Sequence, residues 1–293
     1  MARANLGGRR TAVENRVSRR RRRREGQPEL PEEITLPLSR YVRNIPVADP
    51  FRYDEYTHVS DLVHKCMRMV ALAGDLHMPV PVEPNWQSMK LIHAMGQAAH
   101  DYIKGTVIGQ EANVFGHWKC LCGNRIGPMT RSEAFELECE DCGNSFVEYD
   151  EFTIHNEEYK IVGNCDLAIK SGDFLILSEL KSISKKQFDD LRMPKPDHVL
   201  QAYLYVWMAE QAGYRVHPTG SIFYACREWM IGNPYREFDI DTSSAERRCT
   251  PLLDEAMAIK NWKDDGVVPE RVHCNRPEDS RARQCGMCVA CFS

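Results

Sequence analysis

The chain has 293 residues, 43% of them hydrophobic and 27% charged, with a formal net charge of −4. That is enough apolar material for one large core or two modest ones, and no apolar run approaches the roughly 18 residues a membrane span needs. No segment of secretory type is evident, so the twelve cysteines point to metal sites in a reducing cytoplasm rather than to a disulfide framework.

In chain order, the first 24 residues carry ten Arg and one Glu, a net +9; taken from the whole-chain −4, this leaves −13 for the remainder. Such a block reads as a disordered tail with sequence-independent attraction to phosphates, or as a nuclear or organelle address. Residues 27–50, with several prolines, read as linker. Tail and linker thus occupy 1–50, and 51–293 is the folded domain. Apolar spacing predicts one amphipathic helix over 57–73, with Leu62, Val63, Cys66, Met69, Val70 and Ala73 on one face and Gly74 as its stop. A second helix is predicted over 87–104, closed by Gly105. It carries Gly96-x-x-x-His100, with His93 on the same face.

An insertion over 116–148 holds Cys120-Leu-Cys122-Gly-Asn and Cys139-Glu-Asp-Cys142-Gly-Asn. Four thiolates in two close pairs, each followed by a Gly that permits a tight turn, make a tetrahedral Zn²⁺ site. It is closed, and so structural.

The stretch 161–205 is the most informative. Strand-type runs over 159–169 and 174–181 flank Ser171-Gly172, a hairpin signal. That turn sets Asn164 opposite Glu179 and Asp166 opposite Leu177. Alternation then collects Ile161, Gly163, Cys165, Leu167, Ile169, Phe174, Ile176 and Leu180 on an apolar face, and Asp166, Glu179 and Lys181 on the other. Asp166 and Glu179 become diagonal neighbours, roughly 7–8 Å apart, within joint reach of one Mg²⁺ or Mn²⁺. A divalent cation beside an ammonium is a phosphodiester-hydrolysis arrangement. Pro194, Pro196 and Asp197 announce a helix running to Gly213, on which Gln201 and Tyr205 share a face.

Further on, strands are predicted over 221–226 and 235–240. A long helix follows, opened by a Ser243-x-x-Glu246 capping box and ending near Gly266. Cys165, Cys226 and Cys249 read as buried thiols, and Trp207 and Trp229 as core. The segment 270–293 holds Cys274, Cys285, Cys288 and Cys291, a metal signal for zinc or an iron–sulfur cluster.

Gly163-x-x-Asp166, Glu179-x-Lys181 and Gln201-x-x-x-Tyr205, in that order, resemble the PD-(D/E)XK nucleases, in particular the RecB-like branch. The resemblance implies an α/β (mixed) fold, a restriction-endonuclease-like core sheet flanked by helices. It implies that Asp166, Glu179, the Leu180 carbonyl and His100 hold the metal. Lys181 would position water and stabilise charge, and Gln201 and Tyr205 would orient the strand or Lys181. Ser60…Cys66-Met67-Arg68 is similar to the first cluster cysteine of the iron–sulfur members, the CRISPR-associated exonucleases and AddB-type subunits. A [4Fe-4S] cluster, or a second Zn²⁺, would take four of Cys66, Cys274, Cys285, Cys288 and Cys291. Cys274 and Cys288 contend for the fourth place, because the late spacing departs from the usual C-x₂-C-x₅-C.

The expected function is a Mg²⁺- or Mn²⁺-dependent DNA exonuclease on single-stranded or frayed ends. It would serve recombination, repair or replication with proteins of those processes as partners, in a bacterial or phage-infected cytoplasm. The rival is a non-catalytic nucleic-acid-binding or adaptor protein with a vestigial site; a third class is a metal-stabilised scaffold in a packaging or repair complex.

Overall fold

Ten residues of alternating burial, Phe174–Ile183, form the long strand on which the rest is assembled. In the computed structural model, residues 55–73, 86–266, 268–285 and 287–292 are described; the Arg-rich tail and linker, 1–50, lie outside them. The order begins with β1 (Thr57–His58), α1 (Val59–His64), α2 (Met67–Ala73) and α3 (Trp86–Tyr102). The segment with the two cysteine pairs, called the cysteine lobe below, follows: β2 (Val114–Lys119), β3 (Arg125–Thr130), α4 (Arg131–Phe135) and β4 (Glu148–Tyr149). Then come β5 (Phe152–Asn156), β6 (Ile161–Cys165), β7 (Leu167–Ser171), β8 (Phe174–Ile183), α5 (Lys185–Asp190) and α6 (Pro196–Gln211). The chain continues through β9 (Thr219–Cys226), β10 (Tyr235–Asp241), α7 (Ala245–Asp265), α8 (Ser280–Gln284) and α9 (Cys288–Phe292).

The expected mixed α/β class is what the chain adopts. One sheet runs β10-β9-β8-β7-β2-β3, with β4 paired to β2; a smaller one runs β1-β6-β5. β8 and β9 are parallel, joined through α5 and α6. The main core lies between Leu175 and Leu177 of β8, Leu204 and Met208 of α6, Ile259 of α7 and Leu62 of α1. Among the described residues no helix is long and apolar enough to cross a membrane.

Several expectations are corrected. The predicted strand 159–169 is two strands belonging to different sheets, parted by a bend at Asp166. The hairpin turn is Gly172-Asp173, with Ser171 opposite Phe174 and Leu167 opposite Ser178. Gly172, at φ 57, supplies the positive dihedral that a tight loop needs. Extending this register past the bend brings Asp166 level with Glu179 instead of Leu177. The charged face is not the outer one either: Leu175 and Leu177, which alternate with the same parity as Glu179, are core. Sequence alternation could not see this, because both faces of β8 carry apolar residues and α6 covers the side that bears the charges.

The predicted helix 57–73 breaks at Lys65 and Cys66, so Cys66 lies between α1 and α2 rather than on an apolar helix face. The second helix does not stop at Gly105; it passes into a π-helical turn, Ile103–Val107. The Ser243 capping box does not form. Ser244 is the N-cap, without a side-chain bond, and Ser243 N instead donates to Asp241 Oδ1 at 2.9 Å. Trp207 is core, whereas Trp229 is 84% exposed between β9 and β10. Cys226 is only half-buried; Cys165 and Cys249 are fully so.

Candidate metal centre and cysteine sites

Asp166 occupies the bend where the chain passes from the small sheet to the large one. Its Oδ2 accepts from Leu180 N at 2.9 Å, which locks the carboxylate to β8 one residue from Glu179. Its Oδ1 lies 3.8 Å from His100 Nδ1 and 3.8 Å from Lys104 Nζ. Lys181 Nζ is 2.6 Å from Glu179 Oε1 and donates to Gln201 Oε1 at 2.9 Å; Gln201 Nε2 donates to the Tyr205 hydroxyl at 2.8 Å. The i, i+4 spacing on α6 therefore builds one relay from β8 into the helix. His100 comes to this centre, while His93 is exposed elsewhere on α3.

Two motif glycines acquire a steric reason. A Cβ on Gly163 would lie 2.7 Å from the Tyr205 ring, so the glycine lets Tyr205 sit over β6. A Cβ on Gly96 would meet Ser182 Oγ at 2.9 Å, so that glycine brings α3, and with it His100, against β8.

Glu179 is 2% exposed, and its Oε2 has no hydrogen-bond partner among the described residues. Burial and the Asp166 charge push its carboxyl up to about 8. Burial also disfavours ionisation of Asp166, but His100, Lys104 and Lys181 outweigh it and hold this carboxyl below its ordinary value. Burial works against the charged form of Lys181 as well, yet Glu179 and Asp166 raise its pKa. A buried carboxylate oxygen without a donor, facing a second carboxylate, fits a hard divalent cation.

Sequence reading missed two members of this centre, Lys104 and Glu151. Lys104 Nζ contacts Glu151 Oε1. Neither falls in a motif, and only the π turn and the strand entry at β5 bring them together. Beside the centre, His198 Nδ1 lies 2.8 Å from the Tyr224 hydroxyl. Burial and the Lys181 charge lower the His198 pKa to about 4.

The thiols of Cys120, Cys122, Cys139 and Cys142 all lie within 4.8 Å of one another, so these four cysteines can hold a metal ion. Each pair sits on a knuckle. Gly123 N donates to Cys120 O at 3.0 Å and Gly143 N to Cys139 O at 2.8 Å, with both glycines at positive φ. Asn144 draws the Cys142 thiol down to about 6, favouring the thiolate that ligates metal. The lobe is not a detached insertion, because β2 begins at Val114 and pairs with β7 through Val114–Ile169 and Phe115–Ala168.

Cys66, Cys274, Cys285, Cys288 and Cys291 line one cavity of about 430 Å³ between α1–α2 and the C-terminal segment. Among the described residues no three of these five thiols lie within 4.8 Å of one another, unlike those of the lobe. Burial raises the Cys285 pKa, and the charges of Cys66, Cys291 and Cys274 add to it. Cys288 Sγ lies 3.9 Å from Pro277 O. Arg68 Nε donates to Cys291 Sγ at 3.2 Å and Arg68 Nη1 to Pro269 O at 2.6 Å, which ties α2 to the C-terminal segment.

No family model matches the chain, and no curated protein matches it. Among solved structures it is similar to the crystal structure of LHK-Exo in complex with dAMP. The TM-score is 0.37 at 11% identity, over 73% of this chain and 90% of that one.

Proposed function

We propose that the chain is a Mg²⁺- or Mn²⁺-dependent deoxyribonuclease of PD-(D/E)XK type, acting as an exonuclease on single-stranded or frayed DNA ends. The observation that carries this reading is the buried, partnerless Glu179 Oε2 beside Asp166, with Lys181 reaching both Glu179 and Gln201. Asp166, Glu179, His100 and the Leu180 carbonyl would hold the cation. Bound there, it would polarise the phosphate and make water a better nucleophile at neutral pH.

The protein's own groups do the remaining work. Lys181, drawn toward Glu179, presents an ammonium to the charge that develops on phosphorus oxygens. Gln201 fixes that amine, and Tyr205 fixes Gln201, so the Lys181 rotamer is set before substrate arrives. Leu180 N keeps Asp166 turned toward the centre. The face of α6 that carries Gln201, Leu204 and Tyr205 is buried beside the carboxylates.

The cysteine lobe is read as a structural zinc ribbon. The C-terminal cavity is read as the seat of a [4Fe-4S] cluster held by Cys66, Cys274, Cys285 and Cys291. Tetrahedral zinc with Zn–S near 2.3 Å needs sulfurs roughly 4 Å apart, which the lobe provides and the cavity does not. A non-catalytic DNA-binding role for the Arg-rich tail and lobe is the competing reading. It predicts binding without cutting, and digestion of 5′- and 3′-labelled strands separates the two and gives polarity.

A further inference from the structure

Lys104 and Glu151 stand at the carboxylate centre without a role in that mechanism. Lys104 is 7% exposed, and a lysine is so deeply buried only when its charge has partners. It lies in the π-helical turn Ile103–Val107, and single π turns within helices are frequent at functional sites. Its ammonium sits between two carboxylates, in contact with Glu151 Oε1 and 3.8 Å from Asp166 Oδ1. Lys181 approaches the same centre from the Glu179 side.

Glu151 is held in place at a cost. Its φ of 44 puts a non-glycine residue in the left-handed region, a conformation that persists where the surroundings over-determine it. The surroundings here are strand β2 of the cysteine lobe. His117 N donates to Glu151 O at 2.9 Å, and His117 Nδ1 lies 3.1 Å from the same oxygen. Gly116 permits the approach, since a Cβ there would come within 3.0 Å of that carbonyl.

With Asp166, Glu179 and Glu151 all ionised, as cation binding requires, they supply three negative charges against the two positive ones of Lys104 and Lys181, leaving the centre at −1. One divalent cation and one phosphodiester anion bring it to neutrality. A second divalent cation would leave an excess of +2 in a buried site. We propose that Lys104 is a further catalytic residue: its ammonium contacts a non-bridging oxygen of the scissile phosphate, taking the electrostatic part that a second ion takes in two-metal nucleases. Glu151 is the positioning residue that holds it beside Asp166. This rests on the nuclease reading above, and it makes the cysteine lobe part of the catalytic apparatus through β2.

The test compares full-length wild type with Lys104→Gln, Glu151→Gln and the double variant Lys104→Met/Glu151→Gln. The double variant removes both charges together, so no lone buried charge prevents folding. Readouts are kcat and KM on end-labelled DNA with Mn²⁺, and Mn²⁺ stoichiometry by calorimetry. Wild type should bind one Mn²⁺ at the centre. Lys104→Gln and the double variant should lose kcat by about 10²–10³-fold with KM and stoichiometry unchanged, and Glu151→Gln should lose about tenfold in kcat alone. Folded variants that keep wild-type kcat overturn the proposal. So does uptake of a second Mn²⁺ by active Lys104→Gln, which would make the lysine a plug in a two-ion site. Wild type that cuts no DNA form sinks the nuclease reading and this one with it; wild-type cutting that survives loss of Lys104 sinks this one alone.

Discussion

The carboxylate centre and the four-cysteine lobe both gather acidic side chains, and they do so in opposite ways. In the lobe, four thiols stand within 4.8 Å of one another on knuckles closed by backbone hydrogen bonds. A metal would complete that set and leave no position open, as in structural zinc sites. At the centre, two carboxylates face each other in a buried site, one oxygen has no partner, and amines bracket the pair from two sides. On the proposed reading, an ion and a substrate would complete this set. Mutual saturation is the pattern of a structural site, and a buried deficit beside held ammonium groups that of a chemical one.

The largest effect that could break this contrast is at Glu179. Glu179→Ala should lower DNA cleavage by about 10³-fold or more while DNA binding and zinc content stay as in wild type, because affinity comes mostly from phosphate contacts elsewhere. Loss of zinc in parallel with cleavage would show the two sites to be one unit.

Next in size is the C-terminal cavity, which shares the lobe's residue type but not its spacing. Cys274→Ser should remove the visible absorbance of a Cys-ligated iron–sulfur cluster and yield a protein prone to unfold, since metal-binding energy is folding energy. Cys288→Ser should leave both properties in place, as its thiol lies toward Pro277 O. A colourless wild type carrying two zinc ions would turn the cavity into a second structural zinc site.

Much of the centre was legible in the sequence. Asp166, Glu179, Lys181, Gln201, Tyr205 and His100 could be named because their short motifs, taken in order, resemble those of a nuclease family, and the chain brings these six side chains to one place. Less legible was how those elements sit. The bend at Asp166 leaves no mark in the hydropathy pattern, since Cys165 and Leu167 are apolar on either side of it, and it changed both the register and the buried face. Lys104 and Glu151 were invisible for another reason: they meet across 47 residues of sequence, through a π turn and a strained backbone that no periodicity announces. Trp229 was misread because an exposed tryptophan and a buried one look alike without the hairpin that displays it.

A smaller effect would sharpen the account of the centre. Gly163→Ala places a methyl against the Tyr205 ring and should destabilise the protein by about 1–3 kcal/mol as overpacking. Cleavage should fall with it, through displacement of Tyr205 and Gln201, and urea unfolding alongside activity checks this. An unchanged midpoint and unchanged activity would mean that the close fit is not required.

The smallest effect is expected in the lobe. Cys139→Ser should release one zinc per chain and lower cleavage by about tenfold, in the range that outer supports of a site commonly cost. The lobe's strand β2 pairs with β7 and grips Glu151. Zinc loss with full activity would return the lobe to a purely structural role.

Degradation of end-labelled DNA, with and without Mn²⁺, by wild type and Lys181→Ala tests the central claim most directly. Wild type should release labelled product only with Mn²⁺ and Lys181→Ala should release none, with DNA binding retained by both. Binding by both proteins with no cutting of single-stranded, frayed or duplex DNA under any metal would contradict it.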